Sequence, residues 1–395
     1  MAAVLTLTVL AVLSRLTPVA STPAPNTYVH PPNGLCTDYS ITEQTTSSDA
    51  IWGLPKFQTN FDIASFLFNS TRKDSQVNVL PPISGYENRT SNYTVSATFC
   101  SPRKPGNGKE TTVLVATHGL GYDGRYWASS YKPEEYSFAQ YALENGYSIF
   151  WYDRVGTGRS QIVSGYKNSV NYQAELLAQI VRRMKTGAYA GNIKASKVVA
   201  VGHSMGSRIT NIVLSKYGDL IDGAVLTGMA LGNDSIDPFP LAKAIPHFLS
   251  TAFRPRLANT DGHYFARDTG YADFGDIYAH AQLFFRAPYD IPTIEYAQSI
   301  RQPLSLLEYL SVSALNYYAP SFTKPIMLTT GENDFLVCGG NCTTSFYQVG
   351  EQASTYSHAQ VIETYLHPHA GHGTNFAANA TGFYREIVSF LDRNV

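Results

Sequence analysis

Val198-Val199-Ala200-Val201-Gly202-His203-Ser204-Met205-Gly206 is the stretch that decides the fold. Its first four residues form an unbroken apolar run, the pattern of a strand covered on both faces. Residues 205–217 then repeat apolar side chains at helical spacing. The serine between them has a glycine two positions away on either side. That arrangement marks a tight strand-to-helix turn, where small neighbours allow close packing and leave the hydroxyl facing outward. A serine hydroxyl is a weak nucleophile until a base takes its proton. The motif therefore predicts Ser204 as a nucleophile and requires a base and an acid elsewhere in the chain.

Working outward, short β-branched and aromatic runs at 94–100, 112–117, 147–152, 197–201, 223–227, 325–330 and 360–365 read as strands. Helical periodicity falls between or after them at 136–144, 172–184, 205–217 and 384–391. The alternation predicts an α/β class with a mostly parallel, doubly wound sheet covered on both faces. The rhythm breaks over 229–322, a segment rich in Phe, Tyr, Pro and His that separates two strands a minimal fold would join directly. Candidate helices at 241–249, 278–285 and 304–317 make it a helical lid or cap over the C-terminal edge of the sheet. Residues 22–60 carry loop chemistry and little periodicity, so 22–92 reads as an N-terminal extension. The core is then 93–228 with 323–395.

The base is expected on a loop after the last strand, and His372, between Gly371 and Gly373, occupies that place. His367 and His369 are its rivals. The acid is expected at the end of an earlier strand, where Gly331-Glu332-Asn333-Asp334 offers Asp334, with Glu332 and Asp234 as alternatives. His118-Gly119-Leu120-Gly121 ends the 112–117 strand, and its histidine is a minor candidate for the base. Tyr122 to Trp127 extend that loop toward a pocket or toward packing. Asp153-Arg154-Val155-Gly156-Thr157-Gly158-Arg159-Ser160 is a structural turn, because the G-x-G-x-x-G spacing of a dinucleotide site is absent.

Together these segments resemble the α/β-hydrolase superfamily over residues 93–395, and in length, leader and the 118–127 stretch its secreted fungal members. The resemblance implies the order Ser204, Asp334, His372 for the catalytic groups. It further implies an oxyanion site built from the Leu120 and Met205 amides, with His118 orienting the loop. Serine at position 204 sets the chain apart from relatives with a carboxylate nucleophile and favours acyl transfer through an acyl-enzyme. The expected activity is hydrolysis of a carboxylic ester or lactone of an apolar small molecule or lipid, with no metal or organic cofactor. The alternatives are lactonization or cyclisation, cofactor-free perhydrolysis, and a non-catalytic ligand-binding role on the same fold.

Composition narrows the partners. Twenty-nine basic residues balance 30 acidic ones, and no block of like charge suits nucleic acid or an anionic membrane surface. The 27 tyrosines and 20 phenylalanines supply core packing and apolar pocket walls. The apolar run from Ala2 to Leu13, followed by Pro18-Val19-Ala20-Ser21, reads as a signal peptide over 1–21. The run is too short to span a bilayer. Sequons at Asn69, Asn88, Asn92, Asn233, Asn341 and Asn379 agree with secretion. So do four cysteines, whose spacing suggests Cys36 with Cys100 and Cys338 with Cys342 among three possible connectivities. Cys342 lies inside the Asn341 sequon, so a bridge there would compete with a glycan.

Overall fold

Four of the apolar runs, Thr112–Thr117 (β3), Ser148–Tyr152 (β4), Gly223–Thr227 (β6) and Ile326–Gly331 (β10), are buried at every residue. Lys197–His203 (β5) is buried beyond its first. Such strands need cover on both faces. Helices Val170–Lys185, Met205–Tyr217 and Ala380–Asn394 supply it, each with an apolar face turned inward. Helix Val170–Lys185 is capped by the Ser169 hydroxyl, which accepts from Asn171 N–H, and it ends in Arg182, Arg183 and Lys185, which suit the negative end of its dipole. These elements come from a computed structural model that describes residues 28–72, 82–106, 108–191, 193–229, 252–312, 316–347 and 353–395. The leader, the 241–249 segment, Asn233 and Asp234 lie outside the described residues.

The main sheet has eight strands, adding Gly34–Trp52 (β1), Ile83–Pro102 (β2) and Ile362–His367 (β11), in the order β1-β2-β4-β3-β5-β6-β10-β11. From β4 to β11 every pairing is parallel, while β1 and β2 add antiparallel strands at one edge. The α/β reading holds for this sheet.

The reading of 22–60 as loop, and of 22–92 as an extension outside the core, is corrected. β1 and β2 pair along nearly their whole length and belong to the sheet, with helix Asn60–Thr71 between them. The inward face of β1 carries Ile41, Glu43, Thr45, Ser47 and Asp49. Polar residues on the buried face erase the hydropathy alternation that marks a strand. Most find partners: Glu43 accepts from Arg183 Nε at 3.2 Å and from the Tyr189 hydroxyl at 2.7 Å, and Ser47 donates to Asp49 at 2.7 Å, while Thr45 Oγ1 has none among the described residues. Cys36 and Cys100 face each other in the β1–β2 register and form a disulfide, as do Cys338 and Cys342.

The insertion between β6 and β10 contains helices Ile277–Phe284 and Ile291–Ser299. It also holds a small antiparallel sheet of Arg256–Leu257 (β7), Tyr271–Asp273 (β8) and Leu304–Ser305 (β9). The helix expected over 304–317 is replaced by β9 and a short helix, Leu306–Ser311. Ser305 cuts it off from the strand, because its hydroxyl caps the helix by accepting from Glu308 N–H.

Candidate active site

Ser204 sits at the junction of β5 and helix Met205–Tyr217 with φ 52° and ψ −117°. A non-glycine residue in that region stores strain of about 1–3 kcal/mol. The surroundings hold it there: Ser204 N–H donates to the Thr227 carbonyl at 2.8 Å, and Ser207 Oγ donates to the same oxygen at 2.7 Å. The turn is possible only with glycine at 206, where a Cβ would lie 2.0 Å from the Thr117 carbonyl oxygen at the end of β3. That close approach brings the 118–121 loop beside the serine, and a Cβ on Gly119 would stand 3.0 Å from Ser204 Cβ.

Asp334 and His372 meet. Both are buried, and His372 Nδ1 lies 2.7 Å from Asp334 Oδ2. Asp334 follows β10 and is fixed by two further donors, the Thr330 hydroxyl at 2.5 Å and Val337 N–H at 2.9 Å. An ionised carboxylate only accepts, so Nδ1 carries the proton and Nε2 is left with a lone pair. His372 Nε2 has no protein partner among the described residues. Ser204 Oγ and His372 Nε2 do not hydrogen-bond to each other among the described residues. The loop carrying His372 is braced by the insertion, since Gly373 N–H donates to the Phe284 carbonyl at 2.7 Å and the Phe284 ring packs edge-on to His372 at 5.1 Å.

The other histidines are engaged elsewhere. His118 is buried, with Nδ1–H donating to the Gly119 carbonyl at 2.8 Å and Nε2 accepting from Arg154 N–H at 2.9 Å. Burial and the nearby Arg154 cation hold its pKa well below the usual imidazole range. His203 bonds through Nδ1 to the Thr227 hydroxyl at 2.9 Å and stacks on Tyr126 at 4.4 Å. Burial, reinforced by His372 and His118, keeps it neutral. His367 lies 3.2 Å from the Tyr365 hydroxyl, and His369 is exposed, so neither contacts Asp334. Glu332 accepts from His369 N–H at 3.2 Å.

Asp153 anchors its turn, accepting from Gly124 N–H at 2.9 Å and Arg159 N–H at 2.8 Å. Burial, with Asp123 as neighbour, pushes its carboxyl up to about 6. Tyr122, Tyr126 and Trp127 are fully buried packing. The Tyr122 hydroxyl lies 2.6 Å from His280 Nε2 in the insertion.

A cavity of about 50 Å³ opens on Ser204. Leu120, Gly121 and Leu336 come from the core, while Phe253, Phe274, Leu283, Phe284, Leu304 and Tyr309 come from the insertion. Sequence reasoning did not single out these insertion residues individually; the aromatic load of 229–322 was their only signal. Met205 N–H is the first amide of its helix, where backbone donors lack intrahelical acceptors. Neither it nor Leu120 N–H has a protein acceptor among the described residues.

A family model described as serine aminopeptidase, S33, matches residues 111–374. No curated protein sequence matches the chain significantly. Among solved structures, the enol-lactonase from Burkholderia xenovorans superposes with a TM-score of 0.51 at 18% identity, covering 76% of this chain and 97% of that one. An esterase from Exiguobacterium antarcticum gives 0.50 at 16% identity, over 76% and 96% of the two chains. An α/β-hydrolase fold protein from Chitinophaga pinensis gives 0.50 at 14% identity, over 75% and 94%.

Proposed function

The chain belongs to the serine aminopeptidase, S33, family within the α/β-hydrolase superfamily, and from that premise we propose that it is a serine hydrolase acting on a small apolar ester. The observation that carries this reading is the 2.7 Å bond between Asp334 and His372, which leaves Nε2 without a partner among the described residues on a ring 4.8 Å from that of His203, the residue before the strained Ser204. His372 Nε2 takes the Ser204 proton as Oγ attacks the ester carbonyl carbon. The oxygen of the tetrahedral adduct gains the negative charge, and the Leu120 and Met205 amides donate to it. The adduct collapses, His372 returns the proton to the leaving alkoxide, and an acyl-Ser204 remains. Water, deprotonated by the same nitrogen, then releases the acid. Asp334 holds the imidazole in the required tautomer and stabilises its cation. A serine–histidine bond of this kind often tightens only when substrate arrives.

The family's description raises a rival substrate, a peptide with a free amino terminus. An α-ammonium needs a counter-charge, and among the described residues no carboxylate lines the Ser204 cavity. An uncharged ester suits those walls. The walls that the described residues form around Ser204 favour short acyl chains over long ones. The leader, the sequons and the two disulfides support a secretory route.

The test is fluorophosphonate labelling of the secreted protein beside Ser204→Ala, with a p-nitrophenyl ester chain-length series and an alanine p-nitroanilide. Labelling lost in Ser204→Ala, with acetate to butyrate turned over fastest and the anilide untouched, is the expected result. Folded wild type that neither labels nor turns over any ester overturns the catalytic reading in favour of ligand binding. Faster cleavage of the anilide than of any ester moves the substrate to peptides.

A further inference from the structure

A second cavity, of about 440 Å³, lies where the insertion meets the turn after Asp153, and it shares no lining residue with the cavity at Ser204. Its ionisable lining groups are Arg125, His263, Tyr264, Arg267 and Arg301, and among the described residues no carboxylate lines it. Two of the arginines are neutralised from behind. Arg125 pairs with Asp123 at 2.6 Å, and Arg301 pairs with Asp261 at 2.8 Å and Asp273 at 3.0 Å. His263 Nδ1 also lies against Asp261, at 2.9 Å.

Arg267 is different. It is only 7% exposed, and its Nε has no hydrogen-bond partner among the described residues. The contact recorded for its cation among the described residues is the face of the Tyr271 ring, 5.4 Å from the guanidinium carbon. The adjacent carboxylate, Asp268, is turned away, accepting from Gly165 N–H and Gly270 N–H at 3.0 Å each. Burial without a counter-charge lowers the Arg267 pKa from its ordinary value. A guanidinium in that position is costly unless an acceptor arrives from outside the chain.

We propose that this cavity binds an organic monocarboxylate, its two oxygens held by the Arg267 guanidinium and its apolar body lying along Tyr264, Ala266 and Ile162. One uncompensated cation matches one negative charge, and the planar fork of arginine matches the two oxygens of a carboxylate. The volume falls in the range of about 300–1,000 Å³ found for small-molecule sites. Gln302, on the same wall, accepts from Gly158 N–H through its side-chain oxygen at 3.0 Å, so its amide nitrogen is a further donor. The proposal is independent of the catalytic reading.

Isothermal titration calorimetry with benzoate, and separately with inorganic phosphate, tests it on the full chain at low ionic strength. The expected result is saturable one-to-one binding of benzoate, unchanged in Ser204→Ala. Affinity falls at least about tenfold in Arg267→Gln, the loss expected when a charge-assisted pair is removed. Ile162→Asp places a carboxylate at an exposed rim position and leaves the packing alone, so it keeps the test decisive if Arg267→Gln fails to fold; it should weaken benzoate similarly. Absence of saturable benzoate binding overturns the proposal, as does unchanged affinity in Ile162→Asp or in folded Arg267→Gln. Loss of binding in Ser204→Ala would place the ligand at the nucleophile instead, and phosphate binding more tightly than benzoate would refute the monocarboxylate assignment.

Discussion

Gly206→Ala isolates the packing that sets the serine turn. The added Cβ would stand 2.0 Å from the Thr117 carbonyl oxygen, 2.6 Å from its carbon and 2.8 Å from the His118 carbonyl oxygen. Relaxed carbon–oxygen contacts lie near 3.3–3.6 Å, so β3 and the helix must part by about 1.3–1.6 Å. All three obstacles are backbone, and no side-chain rotation relieves them. Overpacking of this kind costs about 1–3 kcal/mol. With an unfolding entropy near 0.8 kcal/mol/K for 395 residues, Tm should fall by about 1–4 °C. The larger effect is on reactivity, because the end of β3 carries the 118–121 loop, and a displacement of about 1 Å between reacting groups costs roughly 100-fold. The assay is the second-order rate of fluorophosphonate labelling, which needs no knowledge of the natural substrate. Gly85→Ala is the control, since a Cβ there meets nothing within 4 Å. Gly206→Ala labelling at the Gly85→Ala rate with an unchanged Tm would refute the argument that this contact holds the nucleophile in place.

Asp334→Asn, which keeps the side-chain shape but disfavours the Nδ1–H tautomer, should lower labelling by roughly 10³–10⁴-fold with little change in the circular dichroism spectrum. A loss under tenfold would mean that His372 does not depend on this bond. Replacing Cys36 and Cys100 together by serine frees a 64-residue separation and should destabilise the fold by about 4 kcal/mol in urea; unchanged stability would show that the β1–β2 ladder alone closes that loop. His280 is buried between the Tyr122 hydroxyl and Gln298, and burial lowers its pKa to about 4. Between about pH 4 and 6.5 the unfolded chain therefore binds the extra proton, and stability falls as pH drops through that window, by about 3 kcal/mol for this residue alone. Urea midpoints at pH 7 and 4.5 should converge in His280→Gln relative to wild type, and parallel curves would contradict the assignment.

How far the sequence could be read followed from what each element buries. β3, β5, β6 and β10 were legible because strands covered on both faces need apolar residues throughout. β1 was not, since Glu43, Thr45, Ser47 and Asp49 face inward, Glu43 finding its partners on the distant residues Arg183 and Tyr189 and Ser47 on Asp49. The strands of the small sheet are two or three residues long, too short for any periodicity to register. Helix Ile291–Ser299 was missed although Pro292 is tolerated in a first turn. The serine turn was legible because its close contacts with Thr117 and Thr227 leave a signature, the glycines at 202 and 206, within five residues of sequence. The choice among His367, His369 and His372 was not local, and it depends on which ring a carboxylate 38 positions upstream can reach. The same holds for Arg267, whose isolation becomes visible only once the carboxylates around it have taken other partners.

The hydrogen bond from Gly373 to the Phe284 carbonyl bears on how such a chain could diversify. Ser204, Asp334 and His372 all hang from core strands, so the walls contributed by the insertion look exchangeable, and new selectivity could arise by drift in 252–312 alone. Phe284 breaks that modularity. It is at once a wall of the Ser204 cavity and a brace for the His372 loop. On the hydrolase reading, substitutions at the other insertion walls are expected to change selectivity first, whereas replacing the backbone around Phe284 should alter selectivity and turnover together. Lineages that remodel the insertion are accordingly expected to conserve its path at this one crossing point, whatever side chains they change elsewhere.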